Sequence, residues 1–238
     1  MSATKKPHII TRGAIWGTFD LCDIIFLREV IMKANQIKVL FIKWLLKNNP
    51  NSIIGNEVLF SNNLCRTDIL QIINNKTVAY EIKSDSDNLD CINEQLNNYL
   101  KTFDYTYLVF TEKYPLNKLE TLDSCIGLYL IEQNGYIKQI RRAKLSKSIT
   151  KSNLLCFIPK KELIELLNKK GLSGKSVFEL RLICEKLSFK KVKQKSIDIL
   201  NNRYSKLLNL FLYDTEGENI TIDDLTSLTG NLYTDELR

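Results

Sequence analysis

Histidine is almost missing from this 238-residue chain, which contains only His8. Catalysis with imidazole as base or nucleophile has no candidate beyond that one residue, and a zinc site built on paired histidines cannot form. The six cysteines, Cys22, Cys65, Cys91, Cys125, Cys156 and Cys184, include no C-x-x-C pair. They read as reduced thiols in a cytoplasmic protein rather than as metal ligands or a disulfide framework. Nine glycines and four prolines form no Gly/Ser/Pro-rich linker, so the parts of the chain are expected to pack on one another. Long hydrophobic runs are also missing. Residues 14–32, the most apolar stretch near the start, are broken by Asp20, Asp23, Arg28 and Glu29. That is too polar for a spanning helix or a signal-peptide core, so no membrane is expected among the partners.

The chain does contain three apolar, β-branched runs that each carry one acid. Residues 53–60 hold Glu57, residues 65–73 hold Asp68, and Val78-Ala79-Tyr80-Glu81-Ile82-Lys83 holds Glu81 two positions before Lys83. Strand side chains alternate between faces, so Glu81 and Lys83 share one face while Tyr80 and Ile82 turn to a core on the other. The intervening turns, Ser61-Asn62-Asn63 and Asn74-Asn75-Lys76, are short and imply an antiparallel meander. Carboxylates gathered in this way repel unless a proton or a cation intervenes. Mg²⁺ meets that need, since it uses one or two carboxylates with waters and phosphate oxygens, and Mn²⁺ should substitute. Lys83 is too basic to ligate the ion. Its expected work is to orient or help deprotonate the water that attacks a phosphodiester. Taken singly, a Glu two before a Lys is usually a solvated pair, and an Asp after Arg-Thr is often a cap or turn residue. The order of the acids and their strand context carry the stronger reading.

Glu57, Asp68 and Glu81-Ile82-Lys83 together resemble the catalytic pattern of the PD-(D/E)XK nuclease superfamily, with Thr67 standing where that pattern has Pro. Gln95-Leu96-Asn97-Asn98-Tyr99 resembles the Q-x-x-x-Y element of its RecB-like branch. The run from Tyr80 to Asp85, followed by Asp87, Leu89, Gln95 and Tyr99, is similar to an uncharacterised bacterial and phage family of nuclease-like proteins. The resemblance spans roughly residues 36 to 142. It implies an α/β fold with a restriction-endonuclease-like α/β/α core and a mixed sheet. It also implies a Mg²⁺-dependent nuclease in which Asp68, Glu81 and the Ile82 backbone carbonyl hold the ion and Glu57 completes the shell, directly or through water. Lys83 would act on the water, and Gln95 and Tyr99 would support the site. Judged without the resemblance, the alternative is that Tyr99 is simply a core aromatic with Gln95 its solvated neighbour. Many members of the superfamily carry a further acid on the helix before the first core strand. The helix expected at 37–47 here has none.

The remaining pattern extends this core. A helix is expected over 89–103, strands over 105–111 and 126–132 flanking a helix with Leu116 and Leu119, and an Asn134-Gly135 hairpin returning over 136–142. Helical periodicity then runs over 160–169, 176–187 and 195–212. The organisation read from this is an N-terminal helical extension (1–35), a nuclease-like core (36–142) and a basic helical C-terminal part (143–238), within which the tail after Tyr213 is acidic and is expected to form a final short helix or cap the core.

Between Lys138 and Lys195 there are 17 Lys plus Arg and 4 Asp plus Glu, a balance of +13 in a chain whose total is +7. Such asymmetry suits a polyanion-binding face, with Arg141, Arg142, Lys190 and Lys191 tracking a nucleic-acid backbone, DNA in the first instance. A merely solvated lysine-rich surface is the alternative. The leading function is therefore phosphodiester hydrolysis. The runner-up is a nuclease-fold protein that binds nucleic acid or a protein partner without cutting, in phage defence or counter-defence. A subunit that cuts only within a larger complex, or with a second copy of itself, is a third.

Overall fold

The computed structural model describes residues 31–61, 64–216 and 219–230. His8, Cys22 and the helices expected before Met32 lie outside the described residues.

Helix α1 (Ala34–Asn48) forms where Ile37, Phe41, Ile42 and Leu45 recur at helical spacing, and all four are buried. It stops where Asn49 N–H bonds back to Leu45 O at 2.8 Å and Pro50 prevents another turn. Strands β1 (Ile53–Phe60), β2 (Cys65–Ile73) and β3 (Lys76–Lys83) follow as the expected antiparallel meander. Asn74 and Asn75 both have positive φ, 50° and 56°, as a two-residue hairpin loop of the primed kind requires. Helix α2 (Ile92–Leu100) then carries the chain across the sheet, so β4 (Tyr105–Thr111) runs parallel to β3. After a short helix, α3 (Leu116–Leu119), β5 (Gly127–Ile131) lies parallel to β4. The Asn134-Gly135 turn returns β6 (Ile137–Arg141) antiparallel to β5. The result is an α/β fold on a six-stranded mixed sheet of order β1-β2-β3-β4-β5-β6.

Both faces of the sheet are covered. On one, Ile37, Phe41 and Leu45 of α1 pack against Tyr80, Ile82, Tyr107 and Tyr129, with Phe41 edge-on to Tyr80 at 5.0 Å. On the other, Tyr99 of α2 packs with Phe60, Phe103 and Leu70, while Leu96 meets Leu108 and Phe110. Each fully buried large side chain of this kind contributes about 1.5–3 kcal/mol. Strands covered on both faces are buried nearly throughout, which is why Glu81 in β3 is only 4% exposed.

Four helices follow: α4 (Lys151–Leu155), α5 (Lys160–Leu167), α6 (Val177–Cys184) and α7 (Phe189–Asp214). The first three build a small cluster around Leu155, Leu163 and Leu180, joined by Val192 of α7. Helix α7 then passes β1, giving Ile197, Leu200 and Tyr204 to one sheet core and Phe211 to the other. Through α7 the segment after residue 143 thus reaches both cores of the sheet. Buried Asp104 ties the two together, accepting from Thr77 N at 3.1 Å and from Lys193 Nζ of α7 at 2.5 Å. A closing 3₁₀ helix (Asp223–Leu228) buries Leu225 and Leu228 in the α1-side core. Among the described residues no helix is long and apolar enough to cross a membrane.

Candidate active site

Strand register brings the three acids into one row. Asn56 pairs with Ile69 and Val58 with Thr67, which sets Glu57 opposite Asp68. Ile69 pairs with Tyr80, which sets Asp68 opposite Glu81. Regular alternation would send Ile54, Val58 and Phe60 to the same face. Instead Ile54 belongs to the α1-side core and Val58 and Phe60 to the opposite one. Glu57 lies at this reversal with φ at 53°, a backbone state that non-glycine residues seldom adopt.

The acids do not meet bare. Lys38 of α1, with a side chain only 3% exposed, ion-pairs with Glu57 Oε1 and, at 3.0 Å, with Asp68 Oδ1. The second Asp68 oxygen accepts from Ile82 N–H at 2.8 Å. Arg66 Nε pairs with Glu57 Oε2. Lys83 Nζ lies 3.0 Å from Glu81 Oε1 and donates to Gln95 Oε1 at 3.0 Å. Tyr99 OH contacts Glu81 Oε2 and lies 2.9 Å from Arg66 O. Three carboxylates therefore face three cationic side chains, Lys38, Arg66 and Lys83.

Burial, and then the neighbouring Asp68 charge, push the Glu81 carboxyl above the ordinary glutamate range, against the opposing pull of Tyr99 and Lys83. Burial and the same two acids push the Tyr99 phenol well above its usual value, so it stays neutral. A neutral phenol has one proton to give. When Glu81 is protonated it donates to the Tyr99 oxygen while Tyr99 donates to Arg66 O, and both contacts are satisfied.

Arg66, Asp68, Glu81, Glu94, Gln95 and Tyr99 line a cleft of about 350 Å³. Glu57 is not one of its walls. Among the described residues no three Asp, Glu, His or Cys side chains converge as a metal-binding group. Glu57, expected to complete the shell directly or through water, instead has Oε1 bonded by Lys38 and Oε2 lying close to Arg66 Nε. The remaining pair still fits a hard dication. Asp68 and Glu81 are oxygen donors in one cleft; burial and then the Asp68 charge raise Glu81, and a bound cation would oppose both.

The four basic residues assigned to the backbone lie elsewhere. Arg141 sits on β6, three strands from Glu81 and so roughly 14 Å away, and its guanidinium bonds Ile126 O at 2.7 Å and Asp123 O at 3.3 Å. Arg142 is exposed beside it. Lys190 and Lys191, at the start of α7, line a separate shallow depression, and Lys191 Nζ donates to Leu166 O at 3.0 Å. Sequence reasoning passed over Lys38 and Glu94. Lys38 did leave a signal, a lysine inside the apolar stripe that Phe41, Ile42 and Leu45 continue. Glu94, on the first turn of α2, left none.

Protein cII of Enterobacteria phage P4 is 29% identical to this chain over 208 residues, which cover 84% of this chain and 78% of that protein. Among solved structures, the SPO1766 protein of unknown function from Silicibacter pomeroyi aligns over 62% of this chain and 98% of its own, at 17% identity and a TM-score of 0.39. That likeness is too slight to bear on fold or function. The family described as Bacteriophage P4 protein cII matches residues 27–229, and with most of its length matched the chain belongs to that family.

Proposed function

We propose that this chain is a divalent-cation-dependent nuclease that hydrolyses phosphodiester bonds, with DNA as the leading substrate. One observation carries the reading: the run of direct contacts from Asp68 to Ile82, and from Tyr99 through Glu81 and Lys83 to Gln95, beside a single cleft. Asp68 and Glu81 would hold Mg²⁺, which offsets charge developing on the transferring phosphate. Mn²⁺ should substitute. The bond from Ile82 N–H fixes the Asp68 carboxylate, and Tyr99 fixes that of Glu81. Lys83, held between Glu81 and Gln95, orients the attacking water. The five described cysteines are free, which suits the reducing cytoplasm of a phage-infected cell.

Lys38 and Arg66 lend support to a second reading, a nuclease-fold protein that binds nucleic acid or a partner without cutting, as a phage counter-measure. They already neutralise part of the acid row. Incubating the purified chain with plasmid, linear duplex and single-stranded DNA separates the two. Cleavage that needs Mg²⁺ and stops in EDTA supports the nuclease. Binding of the same substrates with no product in Mg²⁺ or Mn²⁺ supports the alternative.

A further inference from the structure

Glu57 is the one acid of the row that lies outside the cleft; Lys38 bonds its Oε1, while Arg66 lies close to its Oε2 as an ion pair without a directed hydrogen bond. Lys38 is buried and rises from α1, whereas the Arg66 side chain is 61% exposed, sits on β2 and forms part of the cleft wall. The contact to Glu57 uses Arg66 Nε. The guanidinium carries five N–H donors, and the side chain is largely open to solvent on the cleft wall. The Arg66 backbone is fixed as well, since the residue pairs with Leu59 across the ladder. An exposed arginine in an ion pair is by itself unremarkable. Here the pairing acid is anchored from below by a buried lysine, sits at a positive φ of 53°, and holds the arginine on the wall that carries Asp68 and Glu81.

We infer that Arg66 is the phosphate-binding residue of this cleft. Its Nη edge takes two non-bridging oxygens of a phosphodiester, in the fork geometry that a guanidinium offers and an ammonium does not. Glu57 is the positioning residue for Arg66, anchored by Lys38, and is not an ion ligand. The identity of the ligand as a nucleic-acid strand rests on the proposed nuclease reading; the placement of Arg66 does not.

The test is fluorescence anisotropy of the full chain with a short fluorescein-labelled single-stranded oligodeoxynucleotide in EDTA, where nothing is cut. Arg66→Ala should weaken binding about tenfold and lower the slope of log Kd against log salt by roughly one. Arg66→Lys should recover only part of the loss. Glu57→Gln should cost less than Arg66→Ala and nothing further when the two are combined, because its effect passes through Arg66. In Mg²⁺, Arg66→Ala should raise KM more than it lowers kcat. Unchanged binding by Arg66→Ala overturns the proposal even if the parent chain cleaves DNA. Full additivity of the Glu57 and Arg66 effects overturns the positioning role. A parent chain that cleaves nothing, while its binding still depends on Arg66, overturns the nuclease reading and leaves this one standing.

Discussion

Lys38 Nζ lies 3.0 Å from Asp68 Oδ1, joining a helix on one face of the sheet to an acid in its second strand. A buried positive charge thus stands where repulsion among the acids, considered alone, called only for a metal ion.

Removing that charge should be costly. Lys38→Met leaves Glu57 and Asp68 facing each other with one cation fewer, and loss of one partner from a buried pair typically costs about 3 kcal/mol or more. Urea unfolding should show a loss of about that size, with part of it restored by adding Glu57→Gln. A loss below about 0.5 kcal/mol, the range of ordinary surface substitutions, would contradict the buried-pair account.

Catalysis should depend on Asp68 and Lys83. Asp68→Asn and Lys83→Ala should each lower Mg²⁺-dependent cleavage on the order of a hundredfold or more, while circular dichroism spectra match the parent. Cleavage that survives both substitutions would rule out the assigned roles.

Stability of the ion-free protein should carry the signature of Glu81. Its carboxyl titrates above the ordinary value of about 4.3 because of burial and then the Asp68 charge. The folded chain therefore binds this proton more tightly than the unfolded chain does. The stabilisation is complete below the unfolded value and is lost as pH rises through the folded one. Glu81→Gln keeps a donor toward Tyr99 at every pH. In EDTA this variant should melt at a higher temperature than the parent near neutral pH, with the difference shrinking toward about pH 4. A difference that does not vary with pH would contradict the raised carboxyl.

Asp104 should prove to be the anchor of the C-terminal helices. It is fully buried and accepts from Thr77 N, from Thr77 Oγ1 at 3.2 Å and from Lys193 Nζ. Asp104→Ala strands Lys193 and a backbone donor, at a cost of about 3–5 kcal/mol. Hydrogen exchange should accelerate along α7, and unchanged protection there would count against the anchor.

The meander was legible because Asn-rich turns separate runs of β-branched residues, and such turns tolerate the positive φ seen at Asn74 and Asn75. Contacts made by Gln95 and Tyr99 were legible for a different reason. They sit one helical turn apart, so both reach the same strand end. The surroundings of Glu57 were not legible, because its own positive φ breaks the regular alternation of β1. Lys38 was missed because a lysine in an apolar stripe is usually taken to snorkel to the surface; only tertiary structure shows two carboxylates waiting for it. Helix α7 starts at Phe189 rather than near Lys195 because Ser188 caps it by accepting from Lys191 N, and the lysine-rich first turns show little apolar period beyond Val192. The excess of lysine between 138 and 195 did not mark the cleft either, since Lys151, Lys191 and Lys193 reach backbone carbonyls or Asp104.

Isothermal titration of the ion-free full chain with Mn²⁺, followed by DNA cleavage in the same buffer, tests the central claim most directly. The account predicts a saturable site that Asp68→Asn abolishes, with cleavage rising as that site fills. Binding that is indifferent to Asp68, or a filled site with no cleavage of duplex or single-stranded DNA, would contradict it.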